Sequence, residues 1–387
     1  MIASSAEDAW HALRQPGAYE WWYFDALSDD HEYGLVAIWF CGMPFSPDYN
    51  SHIDRHRRNP EAVPPPDPCD YGAFSFALYH RGKTIAYSLV EYDADDFAAS
   101  TVHPEVRTGR NRFTYDSDTA TYRLVVDVPL TEVTTGIPVA LGRRLVGSFA
   151  FRNRTPNWLS EQDAERLNRP GRASATHTWN LVAPVCAVEG AATLFAPGGE
   201  TERDVNFTGR GYHDHNFDTE PMSRAINRWH WGRCWTGDRM LVYYATEPFR
   251  GAGAPFNCGI LFDDAEPRVV TDRLDVSFPS QRRNWLALKY PDSLRLRLPE
   301  DAGERGEWVV RKRHMVDSGP FYVRFLSGLD GSSASHGVSE TLDGTRLRPR
   351  FLRPMINTRI HRPESRRLAL PAPIARLSRT ALAWLVS

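Results

Sequence analysis

Short segments rich in β-branched and aromatic residues, separated by clusters of Gly, Pro, Asp and Asn, run through this chain, and few stretches carry a 3.6-residue period. Gly34 to Cys41 (GLVAIWFC) and Ala73 to Tyr79 (AFSFALY) are typical. In the second, Phe74, Phe76 and Leu78 alternate with small residues, as in a strand with one buried face. Arg81-Gly82-Lys83 turns the chain back into Thr84 to Tyr92, and Thr236-Gly237-Asp238-Arg239 joins Trp229–Trp235 to Met240–Thr246 in the same way. Further strands are expected at Tyr122–Val128, Leu145–Arg152, Thr176–Val188 and Asp204–Phe217. In the second half they are expected at Asn257–Phe262, Val269–Phe278, Ser293–Leu298, Glu307–Arg313 and Phe321–Leu326. So many short strands at even spacing imply antiparallel barrels or sandwiches, and more than one small barrel can hold. The expected fold is all-β: two tandem antiparallel β-barrel or sandwich domains with few short helices.

The break between them is expected in Glu189 to Glu202 (EGAATLFAPGGETE), giving domains at 1–195 and 196–350. Pro44 to Pro68, Pro-rich and charged, reads as a long loop over a barrel mouth. The tail, 351–387, differs in character: from Arg346 onward there are ten arginines against one acidic residue, Glu364. Ile374, Leu377, Ala381, Leu382, Trp384 and Leu385 fit one face of a short amphipathic helix. Such a helix suits either peripheral membrane contact or docking on its own domain. A net charge of -2 argues against nucleic acid as the main partner. Five scattered cysteines without a CxxC pair suit reduced thiols in a cytosolic protein and give no zinc signature. Met1 to Asp8 lacks the apolar core of a signal peptide, and no run has the length of a membrane span. A cytoplasmic location is expected, with association at most with the inner membrane surface.

Chemistry concentrates in Gly209-Arg210-Gly211-Tyr212-His213-Asp214-His215-Asn216-Phe217-Asp218. On a strand, Tyr212, Asp214 and Asn216 share one face, and His213 and His215 the other. A carboxylate beside a phenol on the inner wall of a β-structure is a device for proton transfer. The histidines either bind a metal as an HxH pair with His230 or, the plainer reading, orient the turn and bond carbonyls. Trp229 and Trp231 share a strand face that either lines a pocket or packs a core. Trp21 and Trp22 read as core residues, and Glu20 as a buried partner for an Arg at the domain junction.

Two stretches resemble a known family. Glu20-Trp21-Trp22-Tyr23-Phe24-Asp25 stands near the N-terminus, and Gly209 to Asp218 is followed by Trp229-His230-Trp231-Gly232-Arg233. Together they are similar to the carotenoid 1,2-hydratases (hydroxyneurosporene synthases), part of a superfamily of two-domain lipocalin-like proteins that includes pericyclases. That resemblance implies lipocalin-like domains and addition of water to the terminal C1–C2 double bond of an acyclic carotenoid, without cofactor or metal. It also implies a catalytic Tyr-x-Asp pair with an upstream Trp, matched here by Tyr212, Asp214 and Trp179. The family's SEYLD-like segment is Ser339-Glu340-Thr341-Leu342-Asp343 in this chain.

Hydrating a trisubstituted alkene requires a general acid, and an ordinary Asp, with a pKa of about 3.9, is ionised at neutral pH. Burial in an apolar barrel raises a carboxyl pKa and keeps the proton in place. Asp214 is therefore the candidate acid, hydrogen-bonded by Tyr212, with Asn216 positioning water. Trp179, Trp229, Trp231 and Tyr243 offer aromatic faces to a carbocation, and Trp22 is a further candidate for substrate contact. The expected partner is a long apolar isoprenoid or polyene. A terpenoid cyclase or pericyclase on the same fold, and a lipocalin-like carrier without turnover, are the alternatives. The sequence leaves open whether the pocket lies within one domain or between the two.

Overall fold

The computed structural model describes residues 3–132, 139–168, 177–249, 255–300, 302 and 306–362, and in it the strands form two antiparallel sheets. The first contains β1 (Tyr19–Ser28), β2 (Tyr33–Cys41), β3 (Gly72–His80), β4 (Lys83–Tyr92), β5 (Phe97–Ala99), β6 (Glu105–Thr108), β7 (Asn111–Asp116), β8 (Thr121–Glu132), β9 (Val139–Asn153), β10 (Thr178–Phe195) and β11 (Thr201–Asp218). The second contains β12 (Ile226–Thr236), β13 (Arg239–Pro248), β14 (Phe256–Asp263), β15 (Glu266–Thr271), β16 (Asp275–Arg283), β17 (Lys289–Arg297), β18 (Glu307–Ser318), β19 (Tyr322–Leu329) and β20 (His336–Asp343). Their spatial orders are β4-β3-β2-β1-β11-β10-β9-β8-β7-β6-β5 and β15-β14-β13-β12-β20-β19-β18-β17-β16. Short helices decorate them: α1 (Pro47–Arg58), α2 (Glu161–Leu167), α3 (Met222–Ala225) and α4 (Arg353–Asn357).

Each sheet curls into a barrel-like unit. In the first, β4 reaches β8; in the second, Asn257 of β14 bridges to Arg273, just before β16. Three apolar layers result. Trp22, Phe24, Trp39, Phe74, Phe113 and Phe151 fill the first unit. Leu241, Leu261, Leu294, Leu296 and Val310 fill the second. Between the units, Trp21, Tyr23, Leu181 and Tyr212 meet Trp229, Trp231, Val242 and Tyr244. Strand β1 therefore has apolar surroundings on both faces, and all ten of its residues are buried. Its even-numbered side chains point into the first unit and its odd-numbered ones toward the second sheet.

That parity decides the junction's ion pair. Asp25 lies on the odd face and receives Arg233 Nε of β12 at 2.7 Å, with both side chains fully buried. Glu20, expected to take this role, lies on the even face and pairs with His11 and His215 inside the first unit.

Other expectations shift. The expected break at 195/196 is the turn between β10 and β11, two strands of one sheet, and the changeover comes after Asp218. The Pro-Gly-Gly signal marks a hairpin. Residues 44–68 hold α1, whose Ser46 side chain accepts the Tyr49 N–H, with Pro47 opening the helix. Val269–Phe278 divides into β15 and β16, at opposite ends of the second sheet, with the buried Leu274 between them. The amphipathic face expected from Ile374 to Leu385 lies outside the described residues.

Removing one member of a buried pair strands the other's charge. Asp25→Asn or Arg233→Met is expected to cost about 3–5 kcal/mol in chemical denaturation, with the double variant recovering part of the loss.

Candidate active site

Strand β11 carries the decapeptide, and its alternation separates two kinds of chemistry. His213 and His215 point into the first unit. His213 stands against the Tyr23 carbonyl at 2.9 Å and Asp8 Oδ2 at 3.1 Å, while His215 Nε2 lies 2.9 Å from Glu20 Oε1. Burial opposes a charged His215, but hydrogen bonds and charges from Asp8 and Glu20 outweigh it and hold its pKa up at about 9. Burial also opposes a charged Asp8, yet the neighbouring histidines bring its pKa down to about 2. The expected third member, His230, belongs to the other sheet and bonds Thr341 Oγ1 at 3.0 Å, so the three histidines do not converge. Ligand atoms of His11, Glu20 and His215 do lie within 4.8 Å of one another. Glu20 Oε1 there already receives the His11 backbone N–H at 2.9 Å and its ring at 2.8 Å. These groups serve one another as a buried charge network.

Tyr212, Asp214 and Asn216 point the other way, toward the second sheet. Asp214 Oδ2 accepts Tyr212 O–H at 2.6 Å and Trp179 Nε1–H at 2.9 Å, and Oδ1 accepts Asn216 Nδ2–H at 2.7 Å. Trp179 reaches it because β10 pairs with β11 and sets Trp179 opposite Asn216. Only 5% of Asp214 is exposed. Burial drives its pKa up, hydrogen bonds from Tyr212 and Trp179 offset part of the rise, and the result is about 7. All three hydrogen-bonding partners are neutral, so the carboxyl exchanges its proton near neutrality.

A cavity open to solvent lies between the two sheets, and Asp214 and Asn216 form part of its wall. The sequence had left this location open. Trp21 and Tyr23 line it from β1, Trp229 and Trp231 from β12, and Tyr244 from β13. Ring centroids stand 6.1 Å apart for Trp21–Trp229, 5.3 Å for Tyr23–Trp231 and 5.0 Å for Trp179–Tyr244. Two expected contacts fall elsewhere. Tyr243 points into the second unit, where its ring lies over Gly232 and its hydroxyl donates to Ser339 Oγ at 2.9 Å. Trp22 fills the first unit, donating Nε1–H to the Asp8 carbonyl at 3.0 Å. In each case the adjacent residue, Tyr244 or Trp21, lines the cavity.

The sequence reading also passed over polar members of the wall and a histidine packed against its aromatic residue Trp21. Arg324 and Glu340 pair at 2.8 Å, and Arg324 also donates to Tyr79 Oη at 3.1 Å. Glu340 sits in the segment that replaces SEYLD, a signal that was available. His177 stands between Tyr19 Oη at 2.9 Å and Tyr244 Oη at 3.3 Å, and burial lowers its pKa to about 3. Nothing local in the sequence marks it.

Two curled antiparallel β-units enclosing an aromatic cavity with a buried carboxyl on its wall define a two-domain lipocalin-like protein. The chain belongs to the carotenoid hydratase CrtC family, whose profile matches residues 37–369, and it is an enzyme of that hydro-lyase family. A hydroxyneurosporene dehydrogenase of Chlorobaculum tepidum is 34% identical over 373 residues, covering 94% of this chain and 92% of that one. An acyclic carotenoid 1,2-hydratase of Thiocapsa roseopersicina is 31% identical over 241 residues, covering 62% of this chain and 50% of that one. A solved structure described as AttH of Nitrosomonas europaea shares the fold, with a TM-score of 0.57 at 16% identity over 88% of this chain and 95% of that one.

The raised pKa of Asp214 makes stability depend on pH in a defined sense. Its proton is held more tightly in the folded than in the unfolded chain, so its contribution is full below about pH 4 and is lost as pH rises through about 7. Asp214→Asn lacks this dependence. Relative to the variant, the wild type is expected to lose about 3–5 kcal/mol between those limits in denaturation curves.

Proposed function

We propose that this enzyme hydrates the terminal C1–C2 double bond of an acyclic carotenoid or related isoprenoid, with Asp214 as proton donor and no cofactor. The observation that carries this is a buried carboxyl that, among the described residues, bonds only Tyr212, Trp179 and Asn216, on the wall of an aromatic cavity. A carrier of apolar ligands gains nothing from such a group, and Asp214 is neither exposed nor salt-bridged to an arginine.

The proton rides on Oδ1, the oxygen that Tyr212 and Trp179 leave free, while the Asn216 Nδ2–H donates to a lone pair of the same oxygen and holds its orientation. Transfer to the less substituted alkene carbon leaves a tertiary cation. The faces of Trp21, Trp229, Trp231 and Tyr244 stabilise that cation, each by about 2 kcal/mol or more once water is excluded. Water attacks the cation, and the carboxylate left on Asp214 takes the proton that water sheds. The acid is thereby restored and the atoms balance. Trp179 and Tyr212 hold Asp214 in place throughout. An apolar substrate of this kind dissolves in bilayers, so the enzyme works on the cytoplasmic side of a membrane, with its basic C-terminal tail as a peripheral contact.

Incubation with neurosporene or lycopene in heavy-oxygen water, read by mass spectrometry, tests the reaction. The expected product has gained one labelled water. A product lighter by hydrogen, as the dehydrogenase name of the Chlorobaculum relative describes, or an isomer of unchanged mass, would overturn the reading. Asp214→Asn is expected to reduce turnover by at least about 10²–10⁴-fold with the fold retained. Wild-type turnover should fall as pH rises through about 7, where Asp214 loses its proton.

A further inference from the structure

The residues that close one side of the cavity are continuous with an unusual surface. Ile356 and Ile360 line the cavity from α4 and the residues after it, and Met43 and Phe45 line it just before α1. On the outer side, Arg353 ties α4 to α1 by bonds to Ser51 Oγ at 2.8 Å and Asp54 Oδ2 at 2.6 Å. Arg57 of α1 reaches Glu220 at 3.4 Å, and Arg348 donates to the Ser223 carbonyl at 2.7 Å, which joins α3 to the same face.

This face combines two properties. Phe351 is 77% exposed and Met355 37%, and the exposed Phe249 lies under the Arg348 guanidinium at 4.3 Å. Around them stand the exposed Arg55, Arg58, Arg224 and Arg350. Exposed apolar side chains set among arginines fit the interface of an anionic bilayer, where the rings enter the acyl boundary and the guanidiniums meet phosphates. A protein partner would cover the apolar groups as well, but the arginines of this face outnumber its acidic groups, Asp48, Asp54 and Glu220, which are themselves paired with Arg362, Arg353 and Arg57, and that excess of positive charge matches a phosphate surface better.

We propose that the face formed by α1, α3 and Arg350–Asn357 docks on an anionic lipid bilayer, placing the cavity wall against the membrane from which the substrate enters. This rests on the reading that the cavity takes an apolar polyene, but docking itself is measured without substrate. The full-length protein is sedimented with phosphatidylcholine vesicles, with and without phosphatidylglycerol. The wild type should bind the anionic vesicles and release with added salt. Arg55→Glu/Arg58→Glu/Arg224→Glu/Arg350→Glu should lower partitioning by more than about tenfold. Phe351→Ser/Met355→Ser, which leaves the charges in place, should lower it less. Unchanged melting curves verify folding. Wild-type-like partitioning of the four-site variant overturns the proposal, as does equal binding of the wild type to neutral vesicles. If turnover is then assayed, the four-site variant should match the wild type on substrate in detergent and fall behind on substrate in anionic vesicles. Equal loss in both overturns the link to substrate entry, and absence of turnover in the wild type counts against the proposed reaction alone.

Discussion

Burial of the central strands on both faces is the constraint on which the rest depends. Strands β1 and β11 lie side by side, Tyr23 opposite Asp214 and Asp25 opposite Tyr212, and each contributes one face to the first unit and one to the junction. Strand alternation then delivers Trp22, Phe24, His213 and His215 to the barrel interior, and Trp21, Tyr23, Asp214 and Asn216 to the cavity. A one-residue slip in this register would exchange the two sets and destroy both the core and the site.

The same few residues thus experience two kinds of electrostatics. Inside the first unit, Asp8 and Glu20 lie beside His215, and their opposite charges support one another against desolvation. Across the strand, the donors to Asp214 among the described residues are all neutral, so desolvation dominates and its pKa rises toward neutrality. Arg233, Arg324 and Arg359, buried at the junction, are engaged by Asp25, Glu340 and Asp317 and make no bond to Asp214. A carboxyl with its pKa raised toward neutrality in an aromatic cavity is a product of where the countercharges were placed.

Much of this was legible in the sequence because strand alternation is local. The segments with alternating Phe74, Phe76 and Leu78 and the turn at Arg81-Gly82, both in the left-handed region, declare their hairpin without help from the rest of the chain. The grouping of Tyr212, Asp214 and Asn216 followed from period two alone. Errors arose where two neighbouring aromatics offered equal choices. Trp21 and Trp22, and Tyr243 and Tyr244, differ only in which face they take, and strand periodicity cannot say which face is cavity. The boundary at 195/196 failed for a related reason, since a Pro-Gly-Gly turn marks the end of a strand and carries no information about whether the next strand joins the same sheet. Helix α1 lies in a Pro-rich stretch whose composition reads as loop, although Ser46-Pro47-Asp48 carries a start signal.

The sequence by itself determined an all-β chain, the membership of the site strand's two faces, and the kind of acid a polar triad on one of them could supply. Only the tertiary structure decided that one face meets a second sheet. It also set Trp179 and Tyr244 beside Asp214, and assigned the junction's charge pairing to Asp25 and Arg233. The reason is physical: alternation is fixed by the backbone of a single strand, whereas desolvation and the supply of countercharge depend on residues that other strands bring in, 35 positions away for Trp179 and Asp214 and 208 for Asp25 and Arg233.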